Sequence, residues 1–365
     1  MSGRRIVIMA GGTGGHVYPA LAVARRLREH GWQVSWLGTA EGLEARVAPA
    51  NDIELDCVRV RGIRRGGLLA WLALPWRLGA AVMEARTVLQ RRRPQVVLGL
   101  GGYASGPGGI AARLARMPLI IHEQNAVAGL TNRVLARLAS HVFAGFPDSF
   151  PSGVRAETVG NPVRSELQGL PEPEQRFAGR RGPIRVLILG GSQGARSLNQ
   201  QLPLALAKLP AGRITVRHQC GARWVSETQG VWDRSAIEVR VEAFIEDMAE
   251  AWQWADVAIC RAGALTIAEL TTVGVGAVLI PLPSAADDHQ TANARWLEQG
   301  GAGRVAPQET ISGSDFEQLV DQLTRERDGL LDMAVRARRM ARPEADRRVA
   351  EVCEAIVSQR QEEAA

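Results

Sequence analysis

At 365 residues the chain is longer than one hydrophobic core usually supports, so two domains are expected. Hydrophobic residues make up 46% and charged residues 22%, which excludes a disordered chain, and no run nears the roughly 20 apolar residues of a bilayer span. The net charge of +6 suits an anionic partner, but Lys208 is the sole lysine, so the arginine excess reads as compositional bias and only local clusters are informative.

In chain order, residues 1–9 hold arginines and a short apolar run, too short for a signal peptide and better read as a first strand. Short apolar runs at 6–9, 33–37, 96–100, 118–122 and 141–144 predict buried strands. Amphipathic stretches such as 19–29 and 106–116 predict helices between them. This alternation is that of a parallel sheet covered on both faces. Residues 161–183 hold Asn161, Pro162, Pro171, Pro173, Gly179, Gly182 and Pro183, the composition of a linker. The pattern then restarts with strands at 184–189, 214–218, 237–241, 257–260 and 277–280, and a last helix at about 344–361 is expected to pack back on the first domain. The expected class is α/β, two doubly wound domains, 1–162 with 344–361 and 163–343. A cleft between them is the expected ligand site. Cys57, Cys220, Cys260 and Cys353 lack the spacing of a zinc knuckle or redox pair, so reduced, buried thiols in a cytoplasmic protein are expected.

Three strands run into glycine-rich turns, at 10–16 (AGGTGGH), 101–109 (GGYASGPGG) and 190–196 (GGSQGAR). Glycine lets backbone approach a ligand, and the helix that follows offers free N–H groups, which together suit a phosphate or diphosphate. None carries the lysine of a nucleotide-triphosphate loop. The spacing of Gly12, Gly14 and Gly15 misses the dinucleotide fingerprint, and the second strands end at Gly38 and Gln219 without a carboxylate, so a nicotinamide enzyme fits poorly.

The stretches 11–19 (GGTGGHVYP), 101–109, 122–125 (HEQN), 160–164 (GNPVR), 190–196 and 261–269 (RAGALTIAE) occur in this order across the whole chain. Together they resemble the peripheral membrane N-acetylglucosaminyltransferases of bacterial peptidoglycan synthesis, in glycosyltransferase family 28. The resemblance implies a GT-B fold of two facing Rossmann-like domains, with acceptor on the first and donor on the second. It implies transfer of GlcNAc from UDP-GlcNAc to the 4-hydroxyl of the undecaprenyl-linked acceptor, lipid I, giving lipid II with inversion at the sugar carbon. It also implies a place on the cytoplasmic face of the inner membrane, a cell-wall synthesis complex as partner, and no nucleic acid.

By the same resemblance Ala264, Leu265, Thr266, Ile267, Ala268 and Glu269 hold the nucleotide, with Glu269 on the ribose hydroxyls. The alternative for Glu269 is a solvent-facing helix glutamate. Ser192 donates to a phosphate, Arg164 and Ile245 surround the uracil, and Gln290 reads sugar hydroxyls, with Asn125 reaching the sugar from the first domain. The loop before Gln290, at 283–286, departs from the family pattern. Thr13, Gly14 and Gly15 belong to the donor set, and Gly14, Gly15, Gly102, Tyr103 and Ser105 to the loops facing the acceptor diphosphate.

No Asp-x-Asp is present, so helix starts and backbone amides are expected to meet the charge that builds on departing UDP, without metal or cofactor. The base that takes the hydroxyl proton is expected to be His16, whose alternative role is to hydrogen-bond a phosphate or cap its loop. Glu123 is the second candidate, and His122 reads as structural. Residues 59–93 hold arginines at 59, 61, 64, 65, 77, 86, 91, 92 and 93 with one acid, Glu84. Leu68, Trp71, Leu72 and Trp76 among them suit an interfacial segment on anionic lipid, the alternative being a buried helix. Two other classes compete: a non-hydrolysing UDP-GlcNAc 2-epimerase, which needs no lipid acceptor, and a non-catalytic subunit, which needs no donor half.

Overall fold

The computed structural model describes residues 3–60, 74–191, 194–283 and 288–364. The chain divides into two compact units, Met1–Arg164 with Pro343–Ala365, and Ser165–Arg342.

The first unit runs β1 (Arg5–Met9), α1 (Gly14–Glu29), β2 (Gln33–Gly38), α2 (Glu44–Val47), β3 (Glu54–Cys57), α3 (Leu74–Arg92), β4 (Val96–Gly99), α4 (Ser105–Leu114), β5 (Leu119–Glu123), α5 (Leu130–Leu135), β6 (His141–Ala144) and β7 (Glu157–Thr158). Its sheet has the order β3-β2-β1-β4-β5-β6-β7, and every pairing is parallel. Alternation along β1 builds two cores. Ile6 and Ile8 face Val17, Leu21, Ala24 and Leu27 of α1, while Val7 and Met9 face Val82, Ala85 and Leu89 of α3 with Ala111 and Ala112 of α4. Strands buried on both faces favour apolar residues at every position, as in β4 and the first three residues of β5, whose last two, His122 and Glu123, are buried polar residues.

The second unit runs α6 (Pro173–Phe177), β8 (Ile184–Leu189), α7 (Arg196–Leu206), β9 (Ile214–Gln219), α8 (Val225–Trp232), β10 (Glu238–Glu242), α9 (Met248–Trp254), β11 (Val257–Cys260), α10 (Ala264–Val273), β12 (Gly276–Leu279), α11 (His289–Gln299), β13 (Gly303–Val305), α12 (Ser314–Leu323) and α13 (Arg327–Arg339). Its parallel sheet has the order β10-β9-β8-β11-β12-β13. Val186 and Ile188 of β8 pack against Leu198, Leu202 and Leu206 of α7. The last helix, α14 (Ala345–Ala364), belongs to the first unit. It lays Val349 and Cys353 on the α1 core and pairs Asp346 with Arg26 at 3.2 Å and Glu354 with His30 at 2.8 Å.

In each sheet the strand order reverses once, between β1 and β4 and between β8 and β11. The loops at the carboxyl ends of these four strands flank the reversals, where doubly wound sheets bind ligands.

The stretch 161–183 holds the junction between the two units, after Arg164, and its remainder from Ser165 on packs within the second unit. Pro173 starts α6, and the buried Arg176 donates to the Trp252 carbonyl at 3.2 Å and to the Gly274 carbonyl. Arg180 pairs with Asp256, which is 0% exposed. The prolines and glycines there turn a segment that arginines tether to the second unit. All four cysteines are unpaired, and Cys57, at the end of β3, is exposed rather than buried.

Candidate active site

The β1 turn is built around a carboxylate. Glu44, fully buried on α2, accepts the Gly12 amide at 2.9 Å, the Thr39 amide at 2.9 Å and the Thr39 hydroxyl at 2.8 Å. A Cβ on Gly11, Gly38 or Gly42 would collide with that carboxylate, so three of the local glycines make room for Glu44. The Gly12 amide is therefore committed. Phosphate reading of this loop narrows to the amides of Gly14 and Gly15 at the start of α1, which carry no hydrogen bond among the described residues. Thr13, extended and exposed, precedes them and takes the His16 and Val17 amides on its carbonyl. The sequence hid Glu44 because a four-residue helix has no periodicity to read.

The β4 turn presses on the first. Gly102 has φ +85°, and a Cβ there would lie 2.7 Å from the Gly11 nitrogen and closer still to its carbonyl oxygen. Gly101 has φ +100°, and its Cβ would lie 2.7 Å from His16 Nδ1. Only glycine permits both the left-handed backbone and the close approach. Tyr103 is 57% exposed at the tip. Ser105 does not face a ligand: its hydroxyl is within 2.7 Å of the Gly101 carbonyl and 3.0 Å of the Met9 carbonyl, and its amide bonds the Gly102 carbonyl. A buried hydroxyl engaged by backbone in this way braces the turn. Gly108 and Gly109 abut Met9 and Leu135 and serve helix packing.

His16 sits between these turns, half-buried, with Nδ1 2.8 Å from Gln124 Oε1. Gln124 Nε2 in turn reaches His122 Nδ1 and the His122 carbonyl, each at 3.1 Å, and His122 Nε2 lies 2.8 Å from the Gly160 carbonyl. Burial pushes the His122 imidazole down to about 4, so it is neutral at physiological pH. Glu123 points the other way from the same strand end. Its carboxylate accepts the Asn125 amide at 2.9 Å, Asn125 Nδ2 at 3.2 Å, the Gly129 amide at 3.2 Å and Asn132 Nδ2 at 2.8 Å. Four donors make it the clasp of the loop that carries Asn125. Arg164 closes the first unit with its guanidinium over the Tyr18 ring at 5.7 Å.

In the second unit, the β11 turn is held from two sides. Arg261 donates to the Ile280 and Pro281 carbonyls at 3.2 Å and to Ser197 Oγ at 2.9 Å, and Asn293 donates to the Ala262 carbonyl at 3.1 Å. Gly263, extended, caps α10, and the amides of Ala264, Leu265 and Thr266 carry no hydrogen bond among the described residues. Three unpaired amides at the start of a ten-residue helix match the needs of a diphosphate. Ile267 and Ala268 are buried behind them. Glu269, one turn in, is 6% exposed and accepts the Trp252 indole N–H at 3.2 Å, which removes the solvent-facing alternative. Ile245 is buried, and Gln290 spends its Oε1 on the Leu282 amide at 3.0 Å, leaving its NH₂ group to donate. At the β8 turn a Cβ on Gly194 would collide with the Cys220 carbonyl. Ser192, Leu68, Trp71 and Leu72 lie outside the described residues.

Trp76 is 84% exposed on the first turns of α3, where residues 75–80 are all exposed. Some of the neighbouring arginines are already engaged in ion pairs. Arg59 pairs with Glu84, Arg91 with Asp56, and Arg92 with Asp56 and Glu54. Arg77, Arg86 and Arg93 make no ion pair among the described residues.

Two family models match, the glycosyltransferase family 28 N-terminal domain over residues 6–144 and the family 28 C-terminal domain over residues 185–349. The chain is 55% identical over 349 residues to the UDP-N-acetylglucosamine--N-acetylmuramyl-(pentapeptide) pyrophosphoryl-undecaprenol N-acetylglucosamine transferase of Alkalilimnicola ehrlichii, with 95% of this chain and 98% of that one covered. It is 52% identical to the protein of that name from Halorhodospira halophila, with 98% and 99% covered. Among solved structures it superposes on Acinetobacter baumannii MurG with TM-score 0.85 and 40% identity, covering 96% of this chain and 99% of that one. The calicheamicin glycosyltransferase CalG4, at 16% identity and TM-score 0.68, shares the fold. The fold is therefore GT-B, two Rossmann-like parallel-sheet units, and the chain belongs to glycosyltransferase family 28.

Proposed function

We propose that this glycosyltransferase moves GlcNAc from UDP-GlcNAc onto the 4-hydroxyl of the MurNAc-pentapeptide carried by pyrophosphoryl-undecaprenol. The observation that carries the donor half is the α10 start: three unpaired amides beside a buried carboxylate, suited to a diphosphate and a ribose respectively. The acceptor half rests on the relatives' names and on the α1 start with His16 beside it.

In this reading the acceptor hydroxyl loses its proton to His16, attacks the sugar C1 from the face opposite UDP, and inverts that carbon. Charge builds on the β-phosphate oxygen as UDP leaves, and the amides of Ala264, Leu265 and Thr266 stabilise it with the positive end of the helix dipole. Glu269 takes the ribose hydroxyls, Ile245 and Arg164 flank the base, and Gln290 donates to the sugar. Asn125, oriented by Glu123, adds a sugar contact, so Glu123 acts through its loop rather than on the proton. Ser192 stays assigned to phosphate by resemblance.

No helix among the described residues is long and apolar enough to cross a membrane. A lipid-linked acceptor then requires a surface that rests on the bilayer, and we assign it to the exposed start of α3 around Trp76 on the cytoplasmic face of the inner membrane.

The test is UDP release from UDP-GlcNAc with and without a short-chain lipid acceptor analogue, run also after exhaustive chelation. Acceptor-dependent release that survives chelation is expected. Release without acceptor, or formation of the 2-epimer, would overturn the reading.

A further inference from the structure

We propose that Gln124 and His122 are positioning residues that hold His16 as its Nδ1–H tautomer and so make Nε2 the nitrogen that accepts the acceptor's proton. The proposal deepens the reading of His16 as base and rests on it.

The direction of the chain of hydrogen bonds is set at its buried end. A carbonyl only accepts, so at 2.8 Å from the Gly160 carbonyl His122 Nε2 must carry a hydrogen. A neutral imidazole has only one, and His122, 0% exposed, is kept neutral by burial. His122 Nδ1 is therefore a bare acceptor. The Gln124 NH₂ group supplies both of its hydrogens here, one to His122 Nδ1 and one to the His122 carbonyl. Its amide oxygen then faces His16 Nδ1 at 2.8 Å, and that contact is a bond only if His16 Nδ1 carries the hydrogen.

Turning the Gln124 amide over breaks the set. Its oxygen would then face the bare Nδ1 and the His122 carbonyl with no hydrogen between them, the carbonyl keeping only its bond from Asn132 Nδ2 at 3.3 Å. A neutral His122 with its hydrogen on Nδ1 would meet that oxygen but lose the Gly160 bond, and only a charged His122 would keep both, a charge that burial opposes.

His16 Nε2 is left with no hydrogen-bond partner among the described residues. In water the Nε2–H tautomer of histidine predominates, which would offer the acceptor hydroxyl a donor instead of a lone pair. The relay reverses that preference. Gly101 leaves the space that the ring fills in this orientation, since a Cβ there would lie 2.7 Å from His16 Nδ1. Gln124 is 1% exposed and holds its place through its carbonyl, which accepts Asn161 Nδ2 at 2.9 Å.

The test reads the tautomer directly. Protein labelled with ¹⁵N in its histidines is examined by long-range ¹H–¹⁵N correlation at about pH 8.5, two units above the ordinary histidine value. The His16 signals are identified by their loss in His16→Gln. The wild type should show a protonated Nδ1 and a bare Nε2. Gln124→Met, close in volume and without polar atoms, should move His16 toward the Nε2–H form. It should also lower kcat about tenfold or more while the KM for UDP-GlcNAc stays within about twofold. Gln124→Glu keeps the oxygen that accepts from His16 but loses the NH₂ group that serves His122, so it should retain the Nδ1–H form of His16 and recover part of the kcat that the methionine variant loses. Wild-type His16 found as Nε2–H overturns the proposal whatever becomes of the variants, and so does a tautomer unmoved in folded Gln124→Met. If the tautomer shifts and kcat does not, the relay stands and His16 is not the base.

Discussion

Both units bury a neutral histidine beside a glycine turn, and their hydrogen-bond chains end differently. In the second unit the Trp232 indole donates to His218 Nδ1 at 3.0 Å, His218 Nε2 donates to Asn199 Oδ1 at 3.1 Å, and Asn199 Nδ2 donates to the Cys220 carbonyl at 2.9 Å. That chain closes on backbone against Gly194 and fixes the third turn in place. In the first unit the chain runs outward and stops at His16, half-buried, with one nitrogen unspent. The same device braces a glycine turn in one unit and, in the proposed reading, aims a base in the other. What separates the two is the exposure of the last member, since a chain that ends on a buried carbonyl has nothing left to offer a substrate.

The largest effect that tests this contrast is on turnover. His16→Ala should lower kcat by about 10²- to 10⁴-fold, the usual contribution of a general base, with the KM for UDP-GlcNAc little changed. Asn199→Ala, at the matching place in the second unit, should loosen the third turn and act first on donor KM. Steady-state kinetics on both variants separates the roles, and a His16→Ala enzyme near wild-type turnover would break the contrast.

The next effect is on stability in acid. Burial pushes His122 down to about 4 and His218 down to about 3. Each folded-state value lies below the ordinary 6.5, so the unfolded chain binds protons that the folded one refuses, and stability rises with pH across that window. Nothing is lost above about 6.5. From there down to pH 5 each histidine removes about 2 kcal/mol, about 4 together. The loss continues to about pH 4 for His122 and about pH 3 for His218. Denaturant titrations at pH 7, 6 and 5 measure it, and equal stability at all three would mean that neither histidine is held neutral.

Glu269 comes third. In the proposed reading its carboxylate accepts from the ribose hydroxyls, and hydrogen bonds to a carboxylate are worth about 1.5–3 kcal/mol. Glu269→Ala should therefore raise the KM for UDP-GlcNAc about ten- to hundredfold, and it also leaves the Trp252 indole N–H unpaired. Binding of UDP followed by calorimetry checks the affinity apart from turnover, and unchanged affinity would sink the ribose assignment.

The sequence makes the central strands and the glycine turns that follow them plain, and the reasons are local. Residues 257–260 are a continuous apolar run between turns, and 184–189 are one broken only by Arg185, and they form β11 and β8 with those bounds. The edge strands β3, β7 and β13 escape the same reading, being two to four residues long with polar positions such as Glu54, Asp56 and Arg304. The glycine turns were legible as turns, but their cause was not. Gly11 yields to Glu44 and Gly101 to His16, contacts made between segments far apart in the chain. Gln124 stood inside a visible motif, two residues after His122 and so on its face of the strand, yet only the Gly160 carbonyl shows which way the protons run.

The smallest effect concerns the outer surface, where the units differ again. Among the described residues the first unit exposes Trp76, Leu78, Met83, Tyr103, Leu114, Val127, Leu130 and Val134, against Leu204, Phe244 and Leu282 in the second. The helices of a doubly wound sheet run opposite to its strands, so the starts of α3, α4 and α5 lie at the carboxyl edge, beside the first two glycine turns. Trp76, Leu78, Tyr103 and Leu130 sit at or near those starts. Arginines near anionic lipid are worth about 1 kcal/mol each, but only where their charge is not already engaged. Arg77 has no ion pair among the described residues, whereas Arg91 holds the buried Asp56. Arg77→Gln should weaken binding to phosphatidylglycerol vesicles about fivefold at low salt and less at high salt. Arg91→Gln should leave vesicle binding near wild type and lower thermal stability instead. Adding Trp76→Ser to Arg77→Gln should weaken binding further at every salt concentration, because an indole's contribution is not screened. Vesicle co-sedimentation across a salt series measures all three, and equal losses for Arg77→Gln and Arg91→Gln would place the docking surface elsewhere.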